Sequence, residues 1–140
     1  MRTTAAVLVV VVAMAVVVGC GSPGSGESSR AVDVGLSDFV IDLSKDLVSR
    51  GEVTFDLDNK GPSVHEFLVF KTDLAPSDLP TDGEGDVLES DTFAPIDEVE
   101  DIKVGSGDKL EVELGAGNYV VICNLPGRYR QGMRAGLTVS

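Results

Sequence analysis

The 140-residue chain is poor in the residue types that build most metal sites and all disulfide frameworks. It has no tryptophan, one histidine and two cysteines, which excludes a paired-histidine metal site, a zinc finger and a disulfide scaffold. Basic residues are also scarce, since 11 lysines and arginines stand against 23 carboxylates and give a net charge of -12. This charge opposes binding to nucleic acid phosphates, so we expect no nucleic acid partner. The length supports a single domain.

The first 19 residues have the pattern of a secretory signal peptide. Arg2 precedes an apolar run from Ala5 to Val18, which at about 1.5 Å per residue is shorter than the roughly 30 Å core of a bilayer. The run ends in Val17-Val18-Gly19-Cys20, which resembles the lipobox of bacterial lipoproteins. The resemblance implies cleavage before Cys20 and lipidation of that cysteine, hence a lipid anchor at the extracytoplasmic face of the bacterial cell membrane. An ordinary cleaved signal with an incidental cysteine is the alternative.

The segment after Cys20 is typical of a flexible tether. Residues 21–29 are glycine, serine, proline and one glutamate, with no apolar side chain to bury. We therefore divide the chain into a signal peptide at 1–19, a lipidated cysteine with its linker at 20–30, and one folded domain at 31–140. Lipidation would leave Cys123 as the only thiol, and an oxidising compartment then offers it no intramolecular partner.

The folded region has the two-residue apolar period of half-buried strands. The alternating sets are Val32, Val34, Leu36; Phe39, Ile41, Leu43; Val53, Phe55, Leu57; and Leu110, Val112, Leu114. Two other runs, 65–70 and 119–123, are more continuously apolar, which is typical of central strands covered on both faces. Turns rich in glycine, asparagine and proline separate the runs. The pattern predicts an all-β protein of seven or eight short strands in an antiparallel sandwich or barrel.

An acidic segment, residues 72–102, interrupts this rhythm. It contains eleven carboxylates and no lysine or arginine, and its prolines and glycines predict a surface loop with a short helical turn. Ile96, Val99 and Ile102 then return the chain to the sheet. A solvated charge run is the simplest interpretation, and its functional version is a docking surface for a basic partner. The match of residues 82–93 to a calcium loop is poor, because Val87 and Phe93 stand where glycine and glutamate belong.

The chemistry is concentrated in residues 118–133, where Cys123 ends a predicted strand, Pro126-Gly127 forms a turn and Gly132-Met133 opens the last strand. This segment is similar to the ligand loop of the cupredoxins, the small blue copper proteins. Upstream, Asn59-Lys60-Gly61 precedes His65 as it precedes the first histidine ligand of that family. The resemblance covers about residues 32–140. It implies a cupredoxin-like Greek-key β-sandwich of seven to eight strands with a long acidic loop.

The resemblance also implies a copper site that lacks one ligand. His65, Cys123 and Met133 match three ligand positions, but the second histidine position is occupied by Arg128. A guanidinium stays protonated and has no lone pair to offer a metal ion. One nitrogen and two sulfur donors favour Cu(I) over Cu(II). Water, the Glu66 carboxylate or a backbone carbonyl are the candidates for a fourth ligand of the single copper ion.

Three hypotheses about function follow. The leading one is a membrane-anchored cupredoxin-like protein that binds copper for electron transfer or Cu(I) handling, with a basic redox or copper-transfer protein as partner. The alternative is a metal-free cupredoxin-fold module that docks a partner through the acidic segment, with Arg128 filling the former site. In the third, the charge of Arg128 lowers the thiol pKa of Cys123 and makes it reactive. We expect no enzyme, because no Ser-His-Asp set, paired-histidine site or phosphate-binding glycine loop is present.

Overall fold

A computed structural model describes residues 30–140, which form nine strands. They are β1 (Ala31–Ser37), β2 (Val40–Leu43), β3 (Leu47–Val48), β4 (Gly51–Asn59), β5 (His65–Lys71), β6 (Asp97–Ile102), β7 (Gly107–Leu114), β8 (Gly117–Ile122) and β9 (Arg134–Val139). The predicted signal peptide, Cys20 and nearly all of the linker lie outside the described residues. Within residues 30–140, no helix is long and apolar enough to cross a membrane.

The strands form two sheets that pack face to face. One sheet has the order β2-β1-β4-β7 and the other the order β3-β9-β8-β5-β6. The β-sandwich predicted from the sequence is confirmed, with two differences in detail. There are nine strands, because the two-residue β3 is too short to produce a periodic pattern. The sheets are mixed, whereas the prediction was antiparallel. The chain passes into the second sheet at β3 and returns to the first sheet at β4, where β4 pairs with β1 in parallel, and β3 pairs with β9 in parallel.

The main core lies between the two sheets. Alternate residues of β1, β4 and β7 point inward and meet the inward residues of β5, β8 and β9. At its centre the rings of Phe55 and Phe67 lie 5.2 Å apart at a tilt of 54°. Cys123 and Met133 belong to this same buried cluster. The two predicted sulfur ligands are therefore part of the core of the sandwich.

A second, smaller core explains why β5 and β8 are apolar on both faces. Leu68, Phe70, Val120 and Ile122 point away from the main core and are buried all the same. The acidic segment covers them with three apolar side chains, Leu79, Val87 and Phe93. The Phe93 ring stacks on Phe70 with centroids 5.0 Å apart. Part of the acidic segment is therefore packed against the sheet, where a fully solvated loop was the simplest prediction.

The backbone of the acidic segment is irregular before it re-enters the sheet. Two isolated bridges, Thr81 to Val87 and Ser90 to Phe93, are its only strand pairing before β6 within the described residues. The predicted short helical turn is wrong, because the segment folds through hydrogen-bonded turns that its apolar residues hold to the sheet. The predicted return of the chain to the sheet is confirmed, since β6 pairs with β5.

Candidate metal centre

His65 is the first residue of β5, and its side chain is completely buried. The loop before it is shaped by Asn59, which is also completely buried. The Asn59 amide donates to the carbonyls of Ser63 and Ile102, both at 2.8 Å, and its Oδ1 accepts the Gly61 N–H at 2.7 Å. Gly61 has a φ of 81°, which favours glycine. The Asn59-x-Gly61 turn thus fixes the start of β5 and the position of His65.

The imidazole of His65 is short of hydrogen-bond partners. Neither Nδ1 nor Nε2 makes a hydrogen bond, although Nε2 lies 3.4 Å from Oδ1 of Asp38, close enough for an ion pair but without hydrogen-bond geometry. Burial lowers the pKa of His65, and the charge of Arg128 lowers it further against the opposing effect of Asp38. The ring is therefore neutral near pH 7. A buried neutral imidazole with an unshared lone pair is suited to bind a metal ion.

Cys123 follows β8 directly and is a free thiol that is completely buried. Burial raises the pKa of this thiol, and the effect outweighs the backbone N–H groups of Glu66 and Leu125, which stabilise the thiolate. The charge of Arg128 also lowers the pKa, but it is the weakest of these influences. The raised pKa gives no support to the hypothesis of a reactive cysteine activated by Arg128, because desolvation dominates.

The ligand loop, residues 124–133, closes through its own backbone. The Arg128 N–H donates to the Leu125 carbonyl at 2.9 Å, and the Met133 N–H donates to the Arg128 carbonyl at 3.1 Å. At the base of the loop, the Cys123 N–H donates to the Met133 carbonyl at 3.1 Å. Met133 is completely buried. The two sulfur-bearing residues are thereby held across from each other at one end of the main core.

Arg128 is directed to the loop between β1 and β2. Its guanidinium Nη1 lies 3.1 Å from Oδ1 of Asp38, and its Cζ lies 5.3 Å from the centre of the Phe39 ring. Only 18% of the Arg128 side chain is exposed. Burial acts to raise the pKa of Asp38, but the hydrogen bond from Ser63 and the ion pair with Arg128 prevail and lower it. Position 128 therefore contributes a fixed positive charge, held by a carboxylate, where the sequence resemblance places a second histidine.

Asn124 connects the ligand loop to the acidic segment. The sequence analysis did not predict this connection. Its Oδ1 accepts the Val87 N–H at 2.7 Å, and its Nδ2 donates to the Val87 carbonyl and to Glu89 Oε1, both at 3.0 Å. The Asn124 backbone N–H donates to Glu66 Oε1 at 2.9 Å. The residue next to Cys123 is therefore fixed from two sides. An asparagine directly after the cysteine was the available signal, but its partners are distant in sequence.

Two more contacts bind the acidic segment to the ligand loop. The Gly127 N–H donates to Asp86 Oδ1 at 2.6 Å. The hydroxyl of the buried Tyr129 accepts the Leu79 N–H at 3.1 Å and donates to the Pro76 carbonyl at 2.7 Å. The acidic segment is therefore a support for the ligand loop.

The carboxylates near the site do not form a cation site. Among residues 30–140, no group of three or more His, Cys, Asp and Glu side chains is arranged to hold a metal ion. Asp82 instead closes its own turn, since its Oδ1 accepts the N–H groups of Glu84, Gly85 and Asp86. Neither calcium binding by this turn nor metal ligation by Glu66, whose carboxylate accepts the Asn124 N–H, is supported.

Comparison with solved structures identifies the fold. A crystal structure of auracyanin from Roseiflexus castenholzii matches with a TM-score of 0.60 and 20% identity, covering 80% of this chain and 98% of auracyanin. Auracyanin A from Chloroflexus aurantiacus, described as a blue copper protein, matches with a TM-score of 0.54 and 20% identity over 79% of this chain and 98% of its own. The chain has the cupredoxin fold. A rusticyanin structure matches this cupredoxin domain with a TM-score of 0.57 and 17% identity over 84% of each chain.

The other two comparisons found nothing: no family model and no curated protein matches the sequence. At 13–20% identity, the structural matches are evidence for the fold alone. The cupredoxin resemblance inferred from the ligand loop and the His65 turn is thus confirmed at the level of fold. The question of copper rests on the side chains of this chain.

The donor atoms of the three predicted ligands are of the types that suit a soft metal ion. One imidazole has no hydrogen-bond partner, one thiol is free, and one thioether is buried in the same core cluster as the thiol. Nitrogen and soft sulfur donors suit Cu(I), for which three ligands are sufficient. Arg128 supplies no donor atom.

Proposed function

We propose that the protein binds one copper ion through His65, Cys123 and Met133. The observation that carries this proposal is the completely buried His65 ring, whose two nitrogens lack hydrogen-bond partners. Leaving such groups unpaired costs about 1–3 kcal/mol each, so a fold that retains them gains from a ligand that uses the lone pair. The backbone N–H of Glu66, the residue after His65, interacts with the Cys123 sulfur, which places this soft donor near the start of β5 where His65 lies.

The fixed charge of Arg128 favours the handling of Cu(I) over rapid electron transfer. The guanidinium acts electrostatically on both His65 and Cys123, so each added positive charge at the site is less favourable. Cu(I) carries one charge less than Cu(II) and tolerates the three available ligands. Fast electron exchange requires good ligation in both oxidation states, which a set without a second imidazole does not supply. Electron transfer is the second form of the same proposal.

The proposed location is the extracytoplasmic face of the bacterial cell membrane. The basis is the signal-like residues 1–19 followed by Cys20, which the sequence resemblance makes a lipidated residue. The glycine- and serine-rich linker would let the domain stand away from the lipid. A basic redox or copper-transfer protein is the proposed partner, and the chain acts as a binding protein with no catalysis of its own.

Competition for Cu(I) tests the proposal. The reduced protein should take about one Cu(I) from a chromogenic chelator, and Cys123→Ala should lose the most affinity because thiolate is the strongest soft ligand. Cys20→Ala is the matched control, since it removes the other cysteine and should leave the affinity unchanged. Identical affinities for wild type and Cys123→Ala would refute the site.

A metal-free binding module is the second candidate function. The observation in its favour is a crowded set of carboxylates beside the ligand loop. Burial raises the pKa of Glu66, and repulsion from Glu89, Glu100 and Glu98 raises it further. The surface therefore carries a strong negative potential suited to a basic partner. A protein that takes up no copper yet binds a basic partner more weakly as salt increases would fit this function instead.

A further inference from the structure

Asp38, in the turn between β1 and β2, contacts three groups, two of which, His65 and Arg128, belong to the proposed copper site. Its Oδ1 lies 3.4 Å from Nε2 of His65 and 3.1 Å from Nη1 of Arg128. Its Oδ2 accepts a hydrogen bond from Ser63 Oγ at 3.1 Å. The carboxylate is thus held from two sides while one oxygen faces the imidazole. The cupredoxin resemblance assigns no role to this residue.

The position of this carboxylate decides which nitrogen of His65 carries the proton. With hydrogen on Nε2, the positive end of the N–H bond lies beside the negative Oδ1 of Asp38, although without the alignment of a hydrogen bond, and Nδ1 keeps a lone pair. With hydrogen on Nδ1, a lone pair on Nε2 faces the carboxylate oxygen, and the buried Nδ1–H has no acceptor among the described residues. The first arrangement is attractive and the second repulsive.

We propose that Asp38 is a positioning residue that fixes the Nε2–H tautomer of His65 and leaves Nδ1 free as the metal-binding nitrogen. A metal-bound histidine usually donates its other ring N–H to a carboxylate or carbonyl, which sets the tautomer and the ring orientation. Asp38 places its carboxylate 3.4 Å from Nε2, within electrostatic reach of that N–H. The metal half of this inference rests on the proposed function, whereas the tautomer half concerns the metal-free protein.

The same carboxylate also restrains Arg128. The pairing with Asp38 Oδ1 and the stacking on Phe39 direct the guanidinium toward the β1–β2 turn. Asp38 therefore supplies a negative charge that offsets Arg128 next to a site that must accept a cation. Removing Asp38 would both release the imidazole and leave the arginine charge uncompensated.

Nitrogen NMR of the metal-free protein tests the tautomer. His65 is the only histidine of the chain, so labelling histidine with ¹⁵N reports a single imidazole. The wild type should give two widely separated ring ¹⁵N signals with the proton on Nε2. In Asp38→Ala the signals should move toward each other as the two tautomers mix. Asp42→Ala, which removes an exposed carboxylate of β2, is the control and should match the wild type.

A wild-type proton on Nδ1, or unchanged signals in Asp38→Ala, would overturn the proposal. If Asp38→Ala fails to fold, Asp38→Asn keeps the size of the side chain, and its amide oxygen can still face Arg128 and Nε2. Because this oxygen carries no full negative charge, the two ring signals should lie closer together than in the wild type, and an unchanged spectrum would count against the role of the Asp38 charge.

Cu(I) competition on the same variants tests the metal half. Asp38→Ala should bind Cu(I) roughly 10- to 100-fold more weakly than wild type, the usual effect of losing such a partner. Asp42→Ala should bind as the wild type does. If the wild type takes up no Cu(I), the proposed function fails while the NMR result still decides the role of Asp38. If the tautomer shifts and the affinity does not, Asp38 orients the ring without assisting the metal, and the proposal is overturned in that half.

Discussion

The hydroxyl of Tyr129 joins the ligand loop to the acidic segment, and Tyr129→Phe removes only that oxygen. The buried Leu79 N–H would lose its partner at 3.1 Å, which costs about 1–3 kcal/mol. The carbonyl of the partly exposed Pro76 can turn to water, so that loss costs about 0.5–1.5 kcal/mol. We expect the free energy of unfolding to fall by roughly 1.5–4.5 kcal/mol in total.

Tyr119→Phe is the matched control. The Tyr119 hydroxyl makes one hydrogen bond, to the carbonyl of the exposed Gly115 at 2.7 Å, so its loss should cost only about 0.5–1.5 kcal/mol. Urea unfolding of both variants measures the difference in their free energy of unfolding. The comparison requires that this free energy falls with urea concentration at the same slope in both variants. The melting temperature of Tyr129→Phe should fall by about 6–18 °C, at roughly 4 °C per kcal/mol.

The two tyrosines also separate stability from function. Tyr129→Phe should weaken Cu(I) binding, because it loosens the support of the ligand loop, whereas Tyr119→Phe should not. An equal or smaller loss of stability for Tyr129→Phe than for Tyr119→Phe would refute the reasoning that the acidic segment is clamped to this loop.

Three further predictions concern the anchor, the thiol and the charged surface. Cys20→Ala should abolish attachment of labelled fatty acid, and a wild-type protein that never takes the label would contradict the anchor. In that variant Cys123 is the only thiol, and it should react with a thiol reagent far more slowly in the folded protein than in urea; similar rates would argue against its burial. Neutralising four carboxylates of β6 should weaken the salt dependence of the on-rate of a basic partner more than neutralising four exposed carboxylates of the other sheet, Glu52, Asp108, Glu111 and Glu113, because screening limits the field to roughly 8 Å at physiological salt. Equal slopes would count against docking at this surface, whose residues are Asp97, Glu98, Glu100 and Asp101.

The sandwich was predictable because its strands obey local rules. The alternation of Val32, Val34 and Leu36 specifies one buried face of β1, and the continuous apolar runs of β5 and β8 specify burial on both faces. What covers the outer face was not predictable. Leu79, Val87 and Phe93 are spaced irregularly among carboxylates, so their common contact depends on the path of the whole segment.

The candidate site, too, could be predicted from the sequence only in part. His65, Cys123 and Met133 could be chosen from the sequence because their spacing and flanking turns resemble a ligand set. Asp38 could not, because nothing local distinguishes a turn aspartate that meets His65 and Arg128 from one in solvent. The charge of Arg128 predicted a lowered pKa for Cys123, but the pKa is raised. Burial, which the sequence does not show, outweighs the effect of Arg128.

The central claim is that His65, Cys123 and Met133 are held as a copper ligand set that lacks one imidazole at position 128. The visible spectrum of Arg128→His with Cu(II) tests this claim most directly. The variant should show the intense absorption of thiolate-to-copper charge transfer, because His65, Cys123 and the new imidazole then supply three strong ligands with Met133 as the weak one. The wild type should show that band weakly or not at all. A variant that folds and binds Cu(II) but stays colourless would contradict the ligand geometry. A wild type that is already strongly blue would contradict the claim that Arg128 leaves the site short of one ligand.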